Sequence, residues 1–415
     1  METLQSTEAA LLLIILQLSA IIAVARLAGV ASSRLGQPVV VGEILAGILL
    51  GPSVLGRVAP GLSASLFPPS TTQTIQMISQ IGLIFLMFLI GLEFDFGHIR
   101  THGRAAALVA VSGIACPFAL GAALGAWMAP GFPGVNATGF TLFLATALSI
   151  TAIPVLGRVM VEFNLQRTEL GVLTITAAAI DDALGWTLLA LVAAFVGARL
   201  DLLDGLRMAG FTLAFTAGMV LVVRPLLLRG IRWTLARGDL SPNALAATLV
   251  LLFLSAAATS LIGIFSLFGA LVLGAVLHDQ EEFRQAVFRR LKDFVAVFFL
   301  PIFFTHTGLQ TDLGTLESPG MLGMLAAVVA AGFAGKFLGC AAAARLSGLS
   351  ARRAAAVGVM MNARGLMGLI AASAGVHMGV LPRPAYTMLV ALCVVSTLAL
   401  APALRRLLDD APQSR

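Results

Sequence analysis

The sequence predicts an all-α protein that crosses a membrane many times, and three observations carry that reading. Of 415 residues, 59% are apolar and 11% charged, against about a quarter charged in an ordinary soluble domain. Apolar runs long enough to span a hydrocarbon layer of ~30 Å recur along the chain, divided by breaks that contain Arg, Pro and Gly. Two adjacent aspartates, Asp181 and Asp182, lie inside one such run, residues 173–192. A carboxylate at mid-membrane costs roughly 2.5–3.5 kcal/mol on insertion scales, so two in succession mark a functional site.

Thirteen spans are expected, at 9–30, 38–56, 75–94, 105–129, 138–162, 169–198, 206–228, 243–262, 264–278, 294–309, 320–345, 354–377 and 385–404. The first follows a stretch without Lys or Arg, so it lacks the basic segment of a cleaved signal peptide and reads as a membrane helix. Only Gly263 separates the eighth from the ninth. The positive-inside rule tests the count. Twenty of the 26 Lys and Arg residues fall in segments assigned to one face, whereas the opposite face holds only Arg57, Arg199, Arg207 and Arg383. Lys336 and Arg364 lie within spans. That asymmetry places the N-terminus outside and the C-terminus in the cytoplasm of a multi-pass protein of the cell membrane. The net charge of +6 therefore reports topology, and no nucleic-acid partner is implied. Cys116, Cys340 and Cys393 sit singly in apolar segments and read as small hydrophobes.

An odd number of crossings lets spans one to six and eight to thirteen form two inverted six-helix repeats, at about 9–198 and 243–404, joined by a linker helix at about 206–228. Residues 1–415 thus read as one transmembrane domain, with no soluble regulatory domain expected. Interruptions fall at matching places in the two repeats. The fifth span contains Ser149, Thr151 and Pro154, and the twelfth contains Asn362, Arg364, Gly365 and Gly368. Pro154 removes a backbone donor, while Gly365 and Gly368 weaken a helix. Two helices broken at mid-membrane would offer free amides and carbonyls beside the aspartates.

Adjacent helical residues point ~100° apart, so Asp181 and Asp182 cannot do the same work. One is expected to face a cavity and the other a neighbouring helix. Lys336 is the lone lysine within a span, and its distance from Arg345 argues against snorkelling to an interface. It is the natural partner for one aspartate. Arg364 is a second intramembrane cation, and Glu43, in the second span, is a candidate to neutralise it. Ser149, Thr151 and Asn362 are candidate neutral oxygen ligands near the breaks. His306 is assigned no transport role.

The stretches 42–53, 148–156, 179–186, 301–308 and 361–367 resemble the monovalent cation:proton antiporter-2 family, most closely the branch of plant cation/proton exchangers and their bacterial relatives. The resemblance covers nearly the whole chain. It implies two crossed, discontinuous helices in a core that moves against a dimerisation domain, exchange of Na⁺ or K⁺ for protons, a homodimer, and no cofactor. By the same match Asp182 resembles the carboxylate that carries cation and proton, and Asp181 the partner of Lys336. Relatives with the Asn-x-Arg-Gly-Leu pattern commonly carry Glu at the position of Gly368.

The chemistry expected is competition of a monovalent cation and protons for one carboxylate, exposed alternately to either face. A sodium-coupled symporter of an organic solute shares the fold and would show solute uptake without proton movement. A channel or a transport-dead sensor would show currents above exchanger rates, or binding without flux. An intramembrane aspartyl protease needs two facing carboxyls on separate elements, and neighbours on one helix do not face each other.

Overall fold

The computed structural model describes residues 2–93, 103–152, 156, 160, 163, 165, 168–197, 202–235 and 240–408. Among the described residues every regular element is a helix. The α-helices are α1 (Glu2–Arg34), α2 (Val39–Leu50), α3 (Leu55–Val58), α4 (Pro60–Leu66), α5 (Pro69–Glu93), α6 (Gly103–Met128), α7 (Ala137–Ser149), α8 (Glu169–Gly197) and α9 (Leu202–Gly218). They continue with α10 (Arg224–Leu235), α11 (Pro242–Ile262), α12 (Ser266–Val276), α13 (Glu281–Phe294), α14 (Leu300–Leu309), α15 (Pro319–Leu346), α16 (Ala351–Met360), α17 (Leu366–His377) and α18 (Arg383–Leu408). π-Helical turns at Met219–Val223 and Val295–Phe299 run α9 into α10 and α13 into α14.

Nine described stretches are long and apolar enough to cross a membrane, and each overlaps one of the expected spans. The other four expected spans coincide with short or interrupted elements: α7, α12, the α13–α14 run, and the α16–α17 pair. Starts follow the capping rule. Asn136, Ser241, Ser318 and Ser350 each accept a hydrogen bond from the backbone amide three residues on. Gly263, alone between two apolar runs, closes α11 in the left-handed conformation at φ 98°, a geometry that glycine adopts without a Cβ clash. The helix α5 starts at Pro69, ahead of the span expected from residue 75, because its first turns are polar and hydropathy marks only the apolar part.

Two lengths matter for function. At 13 and 10 residues, α7 and α16 rise only ~20 and ~15 Å. Each ends inside a distance that a membrane helix must cross.

The chain divides into two compact units. One comprises Met1–Ile22, Leu66–Phe96 and Ala190–His306. In it α11 and α12 are tied by Ser255 Oγ to the Gly269 carbonyl at 2.6 Å and by the Gly269 amide to Thr259 Oγ1 at 3.2 Å. Phe85 stacks on Phe299 and meets Phe253 edge-on. Among its described residues no Asp, Glu, Lys or Arg side chain is buried.

The other unit comprises Ala23–Ser65, Gly97–Leu189 and Thr307–Arg415. It holds all the buried Asp, Glu, Lys and Arg side chains among the described residues: Glu43, Asp181, Asp182, Lys336 and Arg364. Its organising element is α6, which packs against both α7 and α15. Small residues permit that approach. A Cβ on Gly121 would lie 2.7 Å from Ala145 Cα, one on Gly125 2.8 Å from Thr141 Cα, and one on Gly335 2.8 Å from Pro117 Cα. One helix therefore locates both the broken α7 and the helix that carries Lys336. An apolar cluster that includes Val109, Ala152, Ala177, Ala178, Cys340 and Met361 packs beside them.

Candidate functional site

The helix α7 stops at Ser149, and Ile150 is extended at φ −87°, ψ 136°. Ending there leaves the last carbonyls and the next amides without helical partners, in a place where water is scarce. Several of these groups find partners in other segments. The Ser149 carbonyl accepts Lys336 Nζ at 2.5 Å. Arg364 donates to the carbonyls of Ala147 at 3.2 Å and Leu148 at 2.6 Å, and also to Gly332 at 2.7 Å. Beyond the break, the Thr151 amide donates to Asp181 Oδ2 at 3.0 Å and the Ala152 amide to the Ala363 carbonyl at 2.8 Å. Two cations at the carbonyl end and a carboxylate at the amide end match the polarity of a helix terminus.

The second break lies between α16 and α17, over residues 361–365. Here α16 tightens its own end. The amides of Met361, Asn362 and Ala363 reach the carbonyls of Val357, Val359 and Met360 at 2.9, 3.0 and 3.1 Å, and Asn362 Nδ2 takes the Gly358 carbonyl at 3.0 Å. The exposed carbonyls of Met361, Ala363 and Arg364 accept Thr151 Oγ1 at 3.0 Å, the Ala152 amide, and Thr397 Oγ1 at 2.5 Å. The two interruptions are therefore hydrogen-bonded to each other through Thr151 and Ala152.

Beside this crossing, α8 presents both aspartates. Asp181 is fully buried, with Oδ1 2.6 Å from Lys336 Nζ and Oδ2 on the Thr151 amide. Asp182 is 3% exposed, and its Oδ1 is buried without a hydrogen-bond partner. Neighbours in sequence thus differ in occupation, as the ~100° step of a helix requires. Lys336 is held by two acceptors from the site and is itself fully buried. Gly113 of α6 leaves room for the neighbouring Cys340: a Cβ there would fall 2.5 Å from Cys340 Sγ, with Asp181 Oδ1 and Lys336 Cε in ordinary contact at 3.9 Å.

The structure brings together Asp181, Asp182, Lys336, Ser149, Thr151, Asn362 and Arg364, but it corrects three expectations. Arg364 is not neutralised by Glu43. Its two terminal nitrogens donate to three backbone carbonyls, with Nε left without a partner, while Glu43 lies within electrostatic reach of Arg26. Glu43 follows Gly42, where α2 packs so close to α1 that a Cβ would fall 2.3 Å from the Ala28 carbonyl oxygen. Gly368 does not lie in the break. It is the third residue of α17, where a Cβ would approach Cys393 Sγ at 3.2 Å and the Ala147 carbonyl at 3.9 Å. Ser149 does not offer a free hydroxyl, because Oγ bonds back to the Ala145 carbonyl at 2.7 Å, as helical serines commonly do. Gly365 stands where expected, immediately before α17. Pro154 lies outside the described residues.

Thr397 and Gly332 hold parts of this site that the sequence did not single out. A lone Thr or Gly in an apolar run carries no signal of its own, and both meet Arg364 only through folding. The carbonyl ends of α7 were foreseeable in kind, since a mid-membrane helix end must be satisfied.

Known proteins resemble this chain over nearly its whole length. The family model described as sodium/hydrogen exchanger, transmembrane, matches residues 19–407. The Na(+)/H(+) antiporter NhaS4 of Synechocystis sp. is 38% identical over 94% of this chain and 96% of its own length. Cation/H(+) antiporter 20 of Arabidopsis thaliana is 36% identical over 94% of this chain, which spans 48% of that longer protein. The solved structure of the sodium proton antiporter MjNhaP1 from Methanocaldococcus jannaschii shares the fold, with a TM-score of 0.64, 17% identity and coverage of 95% and 96% of the two chains. With a family model spanning nearly all of its length and broken helices that meet beside paired aspartates, the chain belongs to the sodium/hydrogen exchanger family.

Proposed function

We propose that this protein exchanges a monovalent cation, Na⁺ or K⁺, for protons across the cell membrane by alternating access, with Asp182 as the group that both substrates use in turn. The observation that carries the reading is the contrast between two buried carboxylates. Asp181 is fully engaged by Lys336 and the Thr151 amide, whereas Asp182 keeps a buried oxygen without a partner. An unpartnered buried carboxylate is unfavourable unless a proton neutralises it or a cation pairs with it. Each condition excludes the other: protonation removes the charge that holds the cation, and a bound cation opposes protonation. Exchange follows when the site changes sides only in one of those two states. Relatives named as Na(+)/H(+) and cation/H(+) antiporters support the same chemistry.

Asp181 and Lys336 serve to hold the crossing in register. Lys336 bridges the Ser149 carbonyl and Asp181, so α15 locks the end of α7 to α8. Thr151 positions the break through its amide and hydroxyl. Rocking of one inverted repeat against the other would then present Asp182 to each face. The distribution of Lys and Arg supports an outside N-terminus and a cytoplasmic C-terminus, and the family resemblance supports a homodimer.

The test is cation-induced dequenching of a pH dye in proteoliposomes with Na⁺, K⁺, Li⁺ or choline outside. Wild-type protein should respond to Na⁺ or K⁺ and not to choline, and Asp182→Asn should abolish the response while the protein still folds. Retained pH-dependent exchange in Asp182→Asn would remove this residue as the carrier.

A further inference from the structure

We infer that Asn362 Oδ1 is a ligand of the transported cation, supplying a neutral oxygen from the second break to complement the carboxylate of Asp182. The inference rests on the proposed exchange at Asp182 and assigns the oxygen that recognises the cation without also binding the proton.

Three observations support it. Asn362 is fully buried, its Nδ2 is committed to the Gly358 carbonyl at 3.0 Å, and its Oδ1 is buried without a hydrogen-bond partner. A carbonyl accepts only from the nitrogen of an amide, so the Gly358 bond fixes which way the side chain is turned. The nitrogen is satisfied and the oxygen is stranded. Buried polar atoms nearly always find partners, and an exception in a native fold calls for an occupant or a role.

Several neighbouring oxygens are already in use. The carbonyls of Met361, Ala363 and Arg364 accept Thr151 Oγ1, the Ala152 amide and Thr397 Oγ1. Ser149 Oγ is turned back on Ala145, and the Ser149 carbonyl takes Lys336. Of the side chains at the crossing, Asp182 and Asn362 each keep a buried oxygen, Oδ1, without a hydrogen-bond partner. Asn362 lies between Met361 and Ala363, which dock on Thr151 and Ala152, and the Thr151 amide in turn holds Asp181, next to Asp182.

A carboxylate with a neutral carbonyl oxygen is a suitable set for a hard monovalent cation, which prefers oxygen ligands that replace its hydration shell. The amide oxygen does not titrate near neutral pH. Its contribution falls on cation affinity alone, while Asp182 serves both substrates. Because Asn362 belongs to the second break, the cation would also tie the two broken helices together when bound.

The experiment measures the apparent KM for Na⁺ and K⁺ in proteoliposomes, and the thermal stabilisation of detergent-solubilised protein by the same salts, for wild type, Asn362→Ala, Asn362→Ser and Asp182→Asn. Asn362→Ala should raise the cation KM about tenfold or more, as loss of one charged contact does. The loss should fall more on KM than on maximal rate, and salt should stabilise the variant less. Asn362→Ser, which keeps an oxygen on a shorter arm, should fall between, and it supplies the same two readings if the alanine variant does not fold. A wild-type cation KM and wild-type salt stabilisation in the Asn362 variants, with Asp182→Asn inactive, would overturn the inference and leave the exchange mechanism intact. Activity in Asp182→Asn would overturn the mechanism itself.

Discussion

The breaks after α7 and after α16 pose the same backbone problem and solve it with different chemistry. At the first, the terminal carbonyls of Ala147, Leu148 and Ser149 are capped by the two buried cations, Arg364 and Lys336, and the amide of Thr151 by a carboxylate. At the second, α16 closes on itself with a tightened last turn, and its remaining carbonyls meet hydroxyls and an amide. Charge is concentrated at one interruption, and the other contributes its arginine to that place. The difference follows from local geometry. A chain that tightens into i to i−3 bonds satisfies its own end, whereas α7 passes directly into an extended residue and leaves carbonyls for other segments to reach.

Variants that strip one break and spare the other test this contrast. The largest effect is expected for Lys336→Met, which leaves Asp181 as an unpaired buried charge and should cost about 3–5 kcal/mol, read as a fall in thermal midpoint in detergent. Pairing it with Asp181→Asn should restore most of that loss, because two neutral groups replace a broken ion pair. A single variant as stable as wild type would show that the α7 end does not depend on its ammonium. Arg364→Met should be milder, about 2–3 kcal/mol, since it removes charged donors from three carbonyls but creates no buried counter-charge. Exchanging the charges as Glu43→Arg with Arg364→Glu should not rescue it; a rescue would restore the Glu43 pairing that the carbonyl contacts of Arg364 argue against. The smallest effect belongs to the neutral break. Thr397→Val removes one hydroxyl from the Arg364 carbonyl and should cost about 1 kcal/mol with the cation KM unchanged. A loss there as large as for Lys336→Met would mean that the two breaks are held alike.

Hydropathy alone located the elements, because only long apolar helices satisfy their backbone in lipid. The nine long helices overlap expected spans, and the short α7, α16 and α17 coincide with the two segments where Ser149, Thr151, Asn362 and Gly365 interrupt an apolar run. Asp181, Asp182 and Lys336 stood out for the same reason, since charge in such surroundings has few uses. The match of Lys336 to one aspartate needed only the rarity of intramembrane ammonium groups.

What remained hidden was orientation. A membrane helix such as α8 is apolar on every side, so no hydrophobic stripe tells which residue faces which neighbour. The ~100° step separates Asp181 from Asp182 but does not choose between them; the choice was made by Lys336 and Thr151, respectively 155 and 30 residues distant in sequence. Arg364 was assigned by charge to Glu43, yet the fold gave it to carbonyls 216 and 217 residues away, which present partial charge without any acidic side chain. Composition and hydropathy therefore determined that this chain is a bundle of membrane helices with a charged interruption. Only the packing of α6 against α7 and α15 decided which acid is held and which is left open, because that depends on distances between segments whose separation along the chain carries no signal.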